Sequence, residues 1–259
     1  MRALTGIAVW LALSAALPVR TANAQTPAPP PGRSPSPANR FRVSVNGVGQ
    51  WSSISFTAST TNVVYLEKAI VNTTYDVPGG PAFDGGVLVR LAGGFHVGVA
   101  VSSFMNHEDA EIAATLPHPF FLNAPRSISG TAENLERREV VTHLEFAYVI
   151  SPGKLDIAIS AGPSWFHVDQ EMVTDVRYIE GYPYDTVTFG SASTATVAAN
   201  GVGFNAGVDV GVRLSKHVGV GGLVRFSGAT VELPLPSAAT TVKSDAGGLQ
   251  AGGGLRLYF

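Results

Sequence analysis

Apolar and polar residues alternate with a period of two along most of the chain, the pattern of strands with one apolar face. In the last segment Leu249, Ala251, Gly253, Leu255, Leu257 and Phe259 fall on one face, and Gln250, Gly252, Gly254, Arg256 and Tyr258 on the other. Phe204, Ala206, Val208, Val210, Val212 and Leu214 oppose Asn205, Gly207, Asp209, Gly211 and Arg213. Val218, Val220, Val224 and Phe226 oppose Arg225 and Ser227, and Phe41, Val43 and Val45 oppose Arg42, Ser44 and Asn46. The same alternation runs through the stretches around Val89, Val99, Phe146 and Ile157. Eight strands are predicted, near 41–51, 85–92, 94–104, 139–151, 154–168, 202–214, 217–231 and 246–259. Three connections are tight: Ala92-Gly93-Gly94, Ser151-Pro152-Gly153 and Ser215-Lys216. Four are long: 52–84, 105–138, 169–201 and 232–245. Short and long connections alternate, and the sequence around one tight turn echoes another. Val89-Arg90-Leu91 before His96-Val97-Gly98-Val99 returns as Val212-Arg213-Leu214 before His217-Val218-Gly219-Val220.

Alternation alone fits a barrel in water or in lipid, and composition separates the two. Charged residues make up 14% of the 259-residue chain, against about 25% in an average soluble domain, and mean hydropathy is +0.21. The polar face is built of Gly, Ala, Ser and Asn with single charges, small enough for the inside of a narrow eight-stranded barrel. Its apolar face then meets hydrocarbon, where every backbone amide must be paired and a sheet must close. The expected fold is all-β: an eight-stranded antiparallel up-and-down transmembrane β-barrel with short periplasmic turns and long extracellular loops.

The N-terminus has the features of an export signal over residues 1–24: Arg2, an apolar core from Gly6 to Leu17 and the small-residue site Ala22-Asn23-Ala24. Residues 25–39 contain six prolines and are expected to form an extended, disordered linker. Residues 40–259 form one barrel domain. The absence of cysteine excludes a disulfide scaffold and a thiol nucleophile. With 19 acidic and 17 basic residues, the chain lacks the basic excess of a nucleic-acid binder.

Leu255-Arg256-Leu257-Tyr258-Phe259 ends the chain on alternating apolar residues and a terminal Phe. This ending, with the signal and the eight strands, resembles the small Gram-negative outer-membrane β-barrel family, which includes the outer-membrane protein A transmembrane domain and opacity-type porins. The resemblance covers residues 40–259. It implies a cell outer-membrane location, contact with outer-membrane lipid and recognition of Leu255, Leu257 and Phe259 by the barrel-assembly machinery. It implies no reaction, since a fold does not fix a function.

Candidate chemistry lies on the inward face and in the loops. Arg42, Arg90, Arg213, Arg225 and Arg256 are expected inside with Glu145, Asp156 and Asp209, and His143 shares the face of Glu145. Mixed charges in a cramped interior satisfy one another, so a packed ion network is expected rather than a general-base pair or metal site. His107-Glu108-Asp109 is the nearest approach to a catalytic rim cluster, and no partner constellation follows it. His118, Phe120 and Phe121 in the second long loop, and Tyr178, Tyr182 and Tyr184 in the third, are candidate contacts for an extracellular ligand or packing over the mouth. No catalytic residue, metal or cofactor is expected. The first reading is a non-enzymatic structural or surface-interaction protein acting through its loops. The alternative is a narrow, anion-favouring channel or small-solute transporter, suggested by five inward arginines against three acids. A barrel-borne enzyme comes third.

Overall fold

In the computed structural model, residues 40–236 and 239–259 are described. The expected signal peptide and the expected Pro-rich linker fall outside them. Among the described residues ten strands follow in order: β1 (Phe41–Trp51), β2 (Ile54–Val64), β3 (Glu67–Val77), β4 (Gly80–Ala92), β5 (Phe95–Leu116), β6 (Arg126–Ile150), β7 (Leu155–Glu180), β8 (Val187–Arg213), β9 (Val218–Pro234) and β10 (Thr241–Tyr258). They make eight staves, because the first two are broken. β1 and β2 are interrupted at Ser52-Ser53, and β3 and β4 at Pro78-Gly79. Antiparallel ladders run β1–β4, β4–β5, β5–β6, β6–β7, β7–β8, β8–β9, β9–β10 and back from β10 to β1. The ring is closed, and Phe41 and Phe259 exchange two backbone hydrogen bonds at 2.9 and 3.0 Å where its ends meet.

The connections at one end are tight. Gly93 (φ +57°) and Gly153 (φ +68°) supply left-handed backbone there. At the other end the four long connections are themselves mostly strand. β2 and β3 form a hairpin, β5 to β8 extend well past the ends expected from their sequence and β9 and β10 by three and five residues, leaving 117–125 and 181–186 as loops among the described residues. The β2–β3 turn uses Tyr65 (φ 49°) and Leu66 (φ 68°). Positive φ at both central residues is type I′ geometry, for which Asn-Gly or Asp-Gly is the usual signal. Tyr-Leu carries no such signal, which is why a hairpin is not legible there.

The staves carry two opposite burial patterns. Near the tight turns the outward positions are apolar and exposed: Val45, Phe95, Val99, Phe146, Ile159, Val208, Val220 and Leu255 are 40–63% accessible. On β5 this outward run ends at Met105. No outward position between Phe41 and Trp51, Phe83 and Leu91, Phe95 and Met105, Val140 and Ile150, Leu155 and Trp165, Val202 and Val212, Val218 and Gly228, or Leu249 and Leu257 is charged. A closed ring with such a belt is a membrane-spanning barrel: its amides are paired and its apolar surface faces lipid.

Beyond the belt the polarity inverts. On β5, inward Gly98, Ala100 and Ser102 give way to Ala110, Ile112, Ala114 and Leu116, while outward Val97, Val99 and Val101 give way to His107, Asp109 and Glu111. A bulge keeps β6 in step: Glu108 faces Leu135 and Ala110 faces Ala132, so inward positions change from odd to even across Glu133-Asn134. The inside of this tower is a dry core of Tyr75, Ile112, Leu135, Val168, Met172 and Leu233, each at most 2% exposed. Phe56 stacks on Tyr75 at 4.8 Å. The tower is not a closed ring. The β6–β7 ladder stops at Arg137↔Gln170, β8–β9 at Phe204↔Gly228, and β10 pairs with β1 but not with β2. Three ribbons, β2-β3-β5-β6, β7-β8 and β9-β10, therefore face one another across the core.

Candidate functional site

Within the belt the inward residues form three groups of polar contacts. Arg225 bridges Asp84 and Glu145, donating to Glu145 Oε1 at 2.6 Å. Asp84 also accepts from Asn46 Nδ2 at 2.9 Å. Arg256 donates to Asp209 at 2.6 and 3.2 Å and to Asn46 Oδ1 at 2.6 Å, and Arg42 joins it on Asp209. Arg213 forks onto Asp156 at 2.6 and 2.9 Å, with its guanidinium 4.6 Å from the centre of the Tyr258 ring. His143, fully buried, meets Ser102 Oγ at 3.1 Å and Ser164 Oγ at 2.8 Å, and Ser164 accepts from Asn205 at 2.9 Å. These residues fill the bore because alternation turns every second side chain inward from all eight staves.

The structure brings Arg42, His143, Glu145, Asp156, Asp209, Arg213, Arg225 and Arg256 inward together. Arg90 stands apart: its Nε donates to the Gly93 carbonyl at 2.8 Å in the tight turn. His143 and Glu145 share a face but do not bond, since Glu145 is taken by Arg225. The apparent arginine excess disappears. Four network arginines (Arg42, Arg213, Arg225, Arg256) meet four carboxylates, because Asp84 joins Glu145, Asp156 and Asp209. Asp84 falls inside the stretch read as the first long loop. Continuing the alternation back from Arg90 through Leu88 and Gly86 places it inward.

A second polar layer separates this network from the apolar tower. Arg137, fully buried, donates to Glu139 at 2.9 Å, Gln170 at 3.1 Å, Ser244 at 3.2 Å and the Asp245 carbonyl at 2.7 Å. Glu139 accepts from the Gly247 amide at 3.0 Å, which the left-handed backbone of Gly247 (φ +93°) presents to it. Gln50 links Glu139 to Gln250. Gln170 also donates to Glu108 at 2.9 Å. Glu108 is buried just above the belt and its Oε2 has no partner, so burial pushes its carboxyl up to about 7. His107 and Asp109 point outward, so the His107-Glu108-Asp109 triplet is split between the two faces of the wall. Glu108, Arg137, Gln170 and Ser244 lie in the expected loops and Glu139 at the expected end of its strand, which hides them from sequence reading, whereas Gln50, Gly247 and Gln250 fall within expected strands.

At the tower summit Arg126 ties the loops together. It donates to the Pro117 carbonyl at 2.6 Å, the Tyr184 carbonyl at 3.0 Å and the Glu180 carboxylate. His118 is buried, and its Nδ1 accepts from the Phe120 and Phe121 amides at 3.1 and 3.2 Å. Phe120 meets Tyr184 edge-on at 5.4 Å, and Tyr184 lies 6.3 Å from Tyr182. Phe120, Phe121 and Tyr182 remain 70%, 61% and 90% exposed. Tyr178 differs from them, being half-buried against the tower core. At the opposite end Leu255 and Phe259 are exposed on the outside of β10 or at its end, while Tyr258 is buried inside.

No protein-family model matches the chain, and no curated protein sequence matches it. Among solved structures it is similar to the outer membrane protein OprG from Pseudomonas aeruginosa, at 9% identity over 86% of this chain and 96% of that one, with a TM-score of 0.48. Neisserial surface protein A is 12% identical over 86% of this chain and 100% of that one, with a TM-score of 0.37. The outer membrane protease OmpT from Escherichia coli is 6% identical over 86% and 98%, with a TM-score of 0.49.

Proposed function

We propose that this chain is a non-enzymatic outer-membrane barrel that presents its tower and loops outside the cell as a contact surface. In this reading the tight turns face the periplasm and the summit faces outward. Residues 1–24 direct export, and Leu255, Leu257 and Phe259 present the last strand to the barrel-assembly machinery. The observation that carries it is the filled bore: charge-matched side chains occupy the belt, and a second hydrogen-bonded layer and a dry core stand above them. An ion crossing this path would have to break paired charges in a desolvated interior. The same pairing removes the motive for an anion-favouring channel, since the arginines are matched. The test is a planar-bilayer recording of the folded full-length protein. No steady conductance is expected, and a large steady conductance overturns the reading.

A further inference from the structure

We infer that the tower edge of β8 is a homotypic docking edge, where a second copy of this chain on a facing surface adds its own β8 antiparallel to the first. The inference rests on the outward-facing reading of the tower. From Thr188 to Asn200, β8 is hydrogen-bonded to β7 on one side, while its ladder with β9 begins only at Phe204 and β9 lies against Gly201 and Gly203. Among the described residues no strand pairs with the other side of that stretch. It is also open to solvent: Thr194, Ala195 and Thr196 are consecutive exposed residues, and between Val187 and Gly203 only Ala199 is buried.

An unpaired row of N–H and C=O groups is a template for another strand, and proteins normally guard such edges with charge or proline. The other tower edges at the ladder breaks are guarded. β6 carries Glu133 and Glu136, β7 carries Glu171, Asp175 and Arg177, β9 carries Glu232 and Pro234, and β10 carries Lys243 and Asp245. β2 has no charge but lies against β10. By contrast, Thr186 to Val208 holds no charge and no proline. Its small Thr, Ser and Ala side chains let two copies approach without like-charge repulsion, so the strand is compatible with itself.

Symmetry then fixes the geometry. β8 runs from the loop end to the turn end in every copy. Two copies standing side by side in one membrane present parallel strands, whereas a two-fold pair of edges is antiparallel. The copies must therefore stand in opposed surfaces. A two-fold antiparallel pair places one residue opposite its own copy, and Thr194 is the midpoint of 188–200. Opposed residues have Cα atoms about 4.5–5.5 Å apart, within the usual reach of a disulfide.

The absence of cysteine from the chain makes the test clean. Single-cysteine variants Ser191→Cys, Thr194→Cys and Ala198→Cys, with Ser127→Cys on outward β6 as control, are folded full-length in detergent micelles and oxidised. The expected result is a disulfide dimer at Thr194→Cys, absent at Ser191→Cys, Ala198→Cys and Ser127→Cys and lost when Thr196→Lys is added to Thr194→Cys. No dimer at Thr194→Cys, a dimer of equal yield at Ser191→Cys or Ala198→Cys, dimer unaffected by Thr196→Lys, or a ladder of larger species overturns the inference. Vesicles carrying the wild-type protein are expected to cluster, with clustering lost in Thr196→Lys. Dimers in micelles without vesicle clustering overturn the facing arrangement. A conducting bore would sink the proposed function while leaving these crosslinks readable.

Discussion

Below the level of Trp51 and Met105 the staves put arginine and carboxylate inside and valine, leucine and phenylalanine outside; above it the same strands do the reverse. β5 makes the comparison within one element, from Ser102 inward and Val101 outward to Ile112 inward and Glu111 outward. Backbone geometry is shared, and what changes is the surrounding solvent. Lipid demands a closed ring and an apolar skin, and leaves polar side chains only the bore in which to pair. Water tolerates open seams, so the tower stands as three ribbons over an ordinary hydrophobic core. The belt is held by matched charge and the tower by burial, and mutations should distinguish them.

The sharpest break is Arg225→Met. It removes the cation between Asp84 and Glu145 in a site where all three residues are buried. Stranding buried carboxylates costs ~3–5 kcal/mol, so the urea midpoint of the folded barrel in detergent should drop accordingly. A loss below ~1 kcal/mol would mean that the network is less dry than its burial implies.

The outward faces give the next contrast. Val208 lies mid-way along the belt stretch of β8, and Thr131 is outward on β6 in the tower. Val208→Arg should destabilise the protein in lipid by ~2–4 kcal/mol, whereas Thr131→Arg should stay within ~0.5 kcal/mol. Equal costs, measured by reversible unfolding from vesicles, would erase the boundary between the two regions.

The belt was readable from sequence because lipid enforces strict alternation. Val208, Val210 and Val212 against Asp209 and Arg213 announce a strand with a skin and a lining. The tower was not, for three physical reasons. Its inward and outward roles are exchanged, so the lipid-facing pattern stops at Met105 although the strand continues to Leu116. The bulge at Glu133-Asn134 shifts the period by one residue, which breaks a period-two reading of β6. The turn at Tyr65-Leu66 lacks glycine and asparagine. Asp84 is hidden with the tower because the sequence pattern places the start of its strand at residue 85, and that residue decides whether the bore holds surplus arginine or matched pairs.

The layer between the two regions offers the smallest and most specific effect. Glu108 sits where lipid-level polarity ends, held on one oxygen by Gln170 and bare on the other. Burial raises its carboxyl to about 7 from an ordinary 4.5. The folded protein therefore holds this proton over a range in which the unfolded chain has released it. The number of protons bound is greater in the folded state between about pH 4.5 and 7, so stability falls as pH rises through that window and levels off above it. The contribution is fully present below pH 4.5, and its loss amounts to at most ~3 kcal/mol. Glu108→Gln keeps the shape and one hydrogen-bonding oxygen but cannot ionise. Its unfolding free energy should lack this component of the slope, so the difference between wild type and variant should change by that amount from pH 4.5 to 7. A difference independent of pH would place Glu108 in water and make the polar layer porous, so the boundary between bore and tower would no longer be sealed at this level.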